Sequence, residues 1–404
     1  MKKLELLSPA GDYTRLVAAV DYGADAVYLA GEEFGMRNAA TNFGKEDLYR
    51  GIDYAHKNGA KVFVTCNTLP HNDEIPRLPA FLELLADADA DGIIASDIGT
   101  MALVKKYAPK QELHISVQSG IVNYQTAREF YNMGAKRIVV ARELSLEEIA
   151  EIRAKTPKEL DIEAFVHGAM CVSFSARCLL SSYMTGRDAN RGDCAQSCRW
   201  SYSLMEANRE GQYFDITETD KGTYILNSND LCMAEHIKDL ADAGIYSLKI
   251  EGRAKSHYYV AVATNAYRGA IDSYLKNPDA KTPDWVSEEL NKISHRNYST
   301  GFYYGKPSAE QNYMSAGYNR DYSVAVAVTG YEDGKIVGLL KNKFRKGQEL
   351  DCLIPRSKPV NIVAEHIYNE NDEEIESAPH PMSVVKIQSD VVLPSGSLIR
   401  MKTK

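Results

Sequence analysis

One phrase recurs through the first 255 residues: an amphipathic helical stretch, a Gly-Ala or similar turn, then a short run of β-branched and aliphatic residues. The instances are YGADAVYLAG, NGAKVFVTCN, DADGIIASD, MGAKRIVVARE and AGIYSLKIEGR. Glycine at the turn suits the left-handed C-cap of a helix, and the apolar run suits a strand buried on both faces. Helix-to-strand spacing this short means parallel strands joined by right-handed crossovers. Starting from LELLSPA (4–10), strands are predicted at 26–31, 61–67, 92–96, 113–118, 137–142, 161–167 and 247–251. Between them, stretches such as KEDLYRGIDYAHKNG and SLEEIAEIRAKTP repeat apolar residues three and four apart, the period of a half-buried helix. Eight such units favour an α/β fold with a closed (β/α)8 TIM-like barrel, although a doubly wound sheet carries the same local signature.

A barrel needs about 250 residues, so the 404 residues here leave room for a second module. The predicted division is a barrel over 1–280 with a Cys-rich insertion at 168–232, a linker and packing segment at 281–319, and a second domain at 320–404. In that last part YSVAVAVTGYEDGKIVGLL reads as a hairpin around Glu332, Asp333 and Gly334, followed by further short strands, so a small β-barrel is expected. It could contact RNA, dock a partner or brace the main barrel, with bracing the default. Hydrophobic residues at 44% and charged residues at 25% suit a chain with a large core. The N-terminus lacks the apolar run of a signal peptide and no stretch of 18 apolar residues occurs, so a cytoplasmic protein with no membrane partner is expected. A net charge of −8 argues against nonspecific coating of nucleic acid. The run KNKFRKG (Lys341, Lys343, Arg345, Lys346) is a local basic exception and reads first as a solvated turn.

The rhythm breaks once, between the seventh and eighth strands, and the interval holds a cysteine cluster. Five of the seven cysteines (Cys171, Cys178, Cys194, Cys198, Cys232) fall there. An insertion after a barrel strand sits over the active-site mouth. In a reducing compartment such clustering points to metal rather than disulfides. The spacings lack the close pairs of a zinc ribbon, and thiolates suit iron–sulfur clusters and zinc alike. Structural thiols without a metal are the plain alternative. The radical S-adenosylmethionine pattern is absent, because position 201 is serine. Cys66 and Cys352 stand alone and read as packing residues.

Polar residues gather at the predicted strand ends: Ser8 and Asp12, Asn67, Asp97, Gln118, Arg142 and Glu143, His167, Asn227, Lys249, Glu251 and Arg253. Lys249, Glu251 and Arg253 alternate along one strand, so all three can point one way, and the two cations could hold a small dianion. An internal ion-pair network is the competing reading. Gln118 and Asn227 are further substrate-binding candidates. His167 and Glu251 are the proton-handling candidates, with a buried packing histidine as the alternative for His167. No Gly-x-Ser-x-Gly, His-Glu-x-x-His or phosphate-cradling glycine loop is present.

The segments LLSPAGD, GADAVYLAG, ISVQ, RELSLEEIAEIR, HGAMC, CAQSCRW, SLKIEGR and HRNYSTGFYYG together resemble the collagenase-like peptidase family U32. The resemblance runs through nearly the whole chain, and within the family it looks most like the bacterial proteins that convert the wobble uridine of tRNA to 5-hydroxyuridine. It implies a 4Fe-4S cluster, with zinc as the alternative metal, prephenate as the source of the hydroxyl group, and a paralogous partner subunit in some members. Carried over, Cys171, Cys178 and Cys194 look like cluster ligands, with Cys198 or Cys232 as the fourth. A collagenase-like peptidase and a cluster-carrying accessory protein are the alternative functions. The peptidase lacks a recognisable nucleophile or metal-bound water.

Overall fold

The computed structural model describes residues 4–36, 41–171, 173–200, 218–219, 222–223, 228–305 and 321–403. Strands β1 (Glu5–Pro9), β2 (Ala26–Ala30), β3 (Lys61–Cys66), β4 (Gly92–Ala95), β5 (Glu112–Ile115), β6 (Ala135–Val139) and β7 (Asp161–Ala169) pair in sequence order, all parallel. Strand Ser247–Ile250 pairs with both β7 and β1 and closes the barrel, which decides against a doubly wound sheet. Helices α1 (Tyr13–Asp21), α2 (Lys45–Lys57), α3 (Leu78–Asp87), α4 (Ile98–Tyr107), α5 (Tyr124–Asn132) and α6 (Leu146–Ala154) make the crossovers. Asp12, Asp97, Asn123 and Ser145 cap α1, α4, α5 and α6 by accepting a backbone N–H three residues on, each cap contributing about 1 kcal/mol. Asp12 and Asp97, expected at the barrel mouth, are thus held by their helices.

The predicted strand at 113–118 stops at Ile115, because Ser116 starts a 3-10 turn and accepts the Gln118 N–H at 3.4 Å. Gly120, at φ 66°, then ends the turn in the left-handed region. That turn leaves Gln118 over the barrel mouth instead of within the sheet.

The barrel interior is mixed. Leu7, Ala26, Tyr28, Phe63 and Ile94 form a small apolar cluster. Beside them Arg137, 1% exposed, donates to both Glu5 oxygens at 2.6 and 3.0 Å and to Glu163 at 3.1 Å, and lies 4.8 Å from the Phe63 ring centre. Lys249 donates to the other Glu163 oxygen at 2.7 Å. Burial opposes the Glu163 charge, but Lys249 and Arg137 outweigh it and hold that carboxyl below its usual range.

The second domain is a seven-stranded antiparallel sheet curled as a half-barrel around its own apolar core. Its hairpin joins Tyr322–Glu332 to Lys335–Leu340 through Asp333 and Gly334, both at positive φ as a two-residue turn requires. The described part of the preceding segment belongs with the barrel, since helix Asp284–Leu290 packs on helix His257–Lys276 and Tyr298–Ser299 extends the barrel sheet beside Asp230–Cys232. Between the domains, Tyr22 donates to the carbonyls of Leu353 and Gly396, and Arg400, fully buried, bonds Glu289, Asp351 and the Tyr258 hydroxyl. Bracing is therefore one thing this domain does.

Candidate functional site

β7 runs past the barrel rim, where Gly168 and Ala169 pair antiparallel with Asp230–Cys232, so the chain leaves and returns over the mouth. The insertion between them is strapped to three barrel loops. Asn190 O accepts from Leu69 N at 3.2 Å, and Arg191 pairs with Glu74 at 2.9 Å, both beyond β3. Arg177 donates to the Gln118 carbonyl beyond β5, and Ser175 donates through N and Oγ to Glu143 beyond β6 at 2.7 and 3.0 Å.

That strapping brings Cys171, Cys178, Cys194 and Cys198 to the lining of one cleft, each partly exposed. Asn190 brackets Cys178, accepting its N–H at 3.2 Å and donating to its carbonyl at 3.0 Å, while Cys194 Sγ accepts the Gln196 N–H at 3.4 Å. Burial raises the Cys198 thiol pKa, Arg199 lowers it, and negative charge on Cys171, Cys194 or Cys178 raises it again. The Cys198 sulfur therefore lies within electrostatic reach of the other three. Among the described residues no three His, Cys, Asp or Glu side chains converge on the site of a single ion. Cys232 stands apart. It does not line the cleft; it sits on the strand paired with His167, bonded to Tyr267, and burial pushes its thiol up to about 11. Cys66 and Cys352 are buried in the cores, as packing residues would be.

A second cavity opens directly at the barrel mouth. Arg142, Lys249 and Arg253 line it together with Gln118, Asn67 and Glu251. Arg253 donates to Thr65 Oγ1 at 3.2 Å, and Arg142 donates to the Ala169 carbonyl at 3.0 Å and stacks 3.8 Å from the Phe165 ring centre. Lys249 faces the same cavity, but its ammonium is already matched by Glu163; burial lowers its pKa and Glu163 raises it, the first prevailing. The alternating Lys249, Glu251 and Arg253 thus share one face and one of them is also part of an internal ion-pair network. Glu251 and Met36 line both cavities and mark their junction.

The comparisons with known proteins agree on the family. A profile described as peptidase family U32 matches residues 11–313, and one for the U32 C-terminal domain matches 320–400. The chain belongs to the U32 peptidase family. Its similar curated relatives include tRNA hydroxylation protein P1 of Bacillus subtilis, 38% identical over 99% of this chain and 95% of that one. Another is tRNA hydroxylation protein P of Escherichia coli, 36% identical over 94% and 92%. A 23S rRNA 5-hydroxycytidine synthase of Escherichia coli is 35% identical over 83% of this chain and 48% of its own length.

In this U32 protein His167 lies away from both cavities. It is 1% exposed, ringed by Tyr259, Tyr267 and Tyr298 at 5.4 to 6.0 Å, and neither ring nitrogen has a hydrogen-bond partner. Burial depresses its pKa to about 3, with Asp230 opposing and His295 and Lys255 adding to the shift, so it is a neutral ring at pH 7. Ser8 bonds Thr264 Oγ1 and Glu143 holds the insertion, so neither reaches a substrate cavity. Asn227 lies outside the described residues. Among the lining residues that escaped the sequence reading are Met36, on the loop after β2, and Tyr258 and Tyr322, which wall the cysteine cleft from the helix and from the second domain. No periodicity marks a loop methionine, and the tyrosines are lost among 25. Among the described residues no helix is long and apolar enough to cross a membrane.

Proposed function

We propose that this protein hydroxylates RNA, specifically the wobble uridine of tRNA to 5-hydroxyuridine, with a 4Fe-4S cluster in the insertion and prephenate at the barrel mouth. The observation that carries the reading is the adjacency of two unlike cavities, one lined by four thiols and one by three cations, sharing Glu251 and Met36. Relatives alignable over nearly the full chain bear the names of tRNA hydroxylation proteins, which supports RNA as the substrate class. Cys171, Cys178, Cys194 and Cys198 are the proposed ligands. Four thiols lining one cleft fit the thiolate ligation of an iron–sulfur cluster, and zinc, which thiolates also bind, is separated from it by iron and sulfide content.

When bound, the cluster would supply one-electron redox chemistry at the floor of the cleft. Arg253 and Arg142 hold the carboxylates of a small dicarboxylate, with Lys249 kept in place by Glu163 as the third cation. Gln118, whose amide oxygen accepts from Ser96 Oγ at 3.2 Å, keeps its amide N–H for orienting that molecule. Glu251 accepts from Tyr28 Oη at 3.3 Å and lies 4.0 Å from Arg142, which fixes its carboxylate at the junction of the cavities, where it is the proposed proton-handling group. Met36, 6% exposed, closes the junction against water.

The test is iron and sulfide analysis of protein purified without oxygen, with the five insertion cysteines changed singly to serine, alongside nucleoside analysis of tRNA from a deletion strain. Expected are about four irons per chain, lost on changing Cys171, Cys178, Cys194 or Cys198 and kept in Cys232→Ser, and loss of 5-hydroxyuridine derivatives from the strain. A protein holding one zinc, or unchanged tRNA, would overturn the reading and return the peptidase or accessory alternative.

A further inference from the structure

Five of the twelve well-exposed large apolar side chains among the described residues fall within residues 174–200: Phe174, Leu179, Tyr183, Met184 and Trp200. That span is 27 of 404 residues, so the concentration is far above an even spread. Tyr183 is the extreme case at 82% exposure. The short helix Leu180–Thr185 turns Leu180 and Ser181 into the cysteine cleft, while Tyr183, four residues beyond exposed Leu179, shares its outward face. The turn Ser197–Arg199 packs against this helix and leads into Trp200.

Charge separates the possible occupants. The chain carries −8, yet residues 168–200 hold four arginines (Arg177, Arg187, Arg191, Arg199) against Asp188 and Asp193, a local balance of +2. Arg177 and Arg187 are exposed; Arg177 donates to the Gln118 carbonyl through Nε and Arg187 pairs with Asp193 through Nε and Nη2, and each five-donor fork has donors beyond those bonds. Exposed aromatic rings beside arginines are how proteins hold unpaired nucleotides, the rings stacking on bases and the guanidinium groups meeting phosphates. A second copy of this chain would bring apolar side chains and scattered carboxylates, whereas unpaired nucleotides bring flat ring faces and phosphates together at a regular spacing.

We propose that the outward face of the insertion binds the single-stranded loop of the RNA substrate, with Tyr183 as a stacking platform and Arg177 and Arg187 as phosphate contacts. This rests on RNA being the substrate class and adds where it is gripped. An RNA loop on this face stands on the element whose inner side carries the thiols, so one nucleotide can turn inward to the cleft while its neighbours stay stacked.

The probe is a fluorescent RNA hairpin with a uridine in its loop, titrated by anisotropy against the full chain purified without oxygen. Tyr183→Ala is expected to weaken binding about tenfold, Tyr183→Phe to leave it unchanged, and Arg187→Gln to reduce the salt slope by about 0.7, all at wild-type iron content. Light scattering on the same samples reads the competing occupant. Wild-type affinity in the Tyr183→Ala, Arg187→Gln double variant overturns the proposal, as does a variant that loses only self-association. Those results would leave the RNA reading standing, whereas a wild-type protein that fails to bind the hairpin would overturn both.

Discussion

Glu163→Gln tests whether the interior charge network holds Lys249 ready at the barrel mouth. Glu163 is fully buried and accepts from Lys249 at 2.7 Å and Arg137 at 3.1 Å. In the variant Arg137 keeps its two bonds to Glu5, so the loss falls on Lys249, left with the rings of Tyr28 and Phe165 at 4.3 and 5.2 Å and the weaker field of Glu251. Stranding one charge of a buried pair costs about 3–5 kcal/mol. The ceiling is set by the alternative of shedding the proton, about 4.6 kcal/mol at pH 7 for a lysine whose unfolded pKa is about 10.4. The two figures overlap, so Lys249 in the variant is close to shedding its proton near pH 7 and the stability loss is about 3–4.6 kcal/mol. The sign with pH follows. A lysine whose folded pKa is depressed binds fewer protons folded than unfolded, so the variant gains on wild type by about 1.4 kcal/mol per unit as pH rises, until wild-type Lys249 also deprotonates. Urea unfolding of both proteins across pH 6–9, followed by circular dichroism, reads this directly. A gap below about 1 kcal/mol, or one that does not change with pH, would refute the account.

Three further outcomes are expected. Arg253→Met should weaken prephenate binding at least about tenfold by calorimetry, the worth of one charged hydrogen bond, and an unchanged affinity would move the carboxylate site elsewhere. Arg400→Met strips a cation from Glu289 and Asp351, and with only Lys292 left between them should cost about 3–5 kcal/mol; wild-type thermal unfolding and wild-type resistance to proteolysis between the domains would contradict this. His167→Phe removes a ring that must be neutral when folded, its pKa being about 3 against 6.5 unfolded. Wild type should therefore lose about 1.4 kcal/mol per unit below pH 6.5 relative to the variant, and parallel acid-unfolding curves would show His167 to be solvated.

The barrel was legible because its rules are local. Each Gly-Ala turn and apolar run announces one strand, whereas closure was favoured but not fixed by the count of eight, and the pairing of Ser247–Ile250 with both β7 and β1 decides it. The strand ends were less legible where a side chain takes over from the ladder, as when the hydroxyl of Ser116 ends β5 and lifts Gln118 to the mouth. Lys249, Glu251 and Arg253 were placed on one face by their alternation alone. The partner that ties up Lys249 was not, because Glu163 lies 86 residues away in sequence and only the barrel's closure brings it near.

The cysteines show where spacing stops informing. Cys198 and Cys232 are indistinguishable by count, and three dimensions separate them through opposite local causes. Cys198 follows a tight turn begun by Gln196 in the left-handed region, which keeps the thiol on the cleft wall. Cys232, partly exposed like the others, is held outside the cleft lining by its pairing with His167 and its bond to Tyr267, and desolvation there disfavours a thiolate. His167 shares that fate: its place just before the first cysteine suggested chemistry, yet β7 continues beyond the barrel and delivers the ring to a tyrosine cage. Sequence adjacency to the cysteines therefore says little: His167 and the cleft-lining Ala169 are two residues apart, but Gly168 between them is at φ 103°, so strict strand alternation does not carry from one to the other.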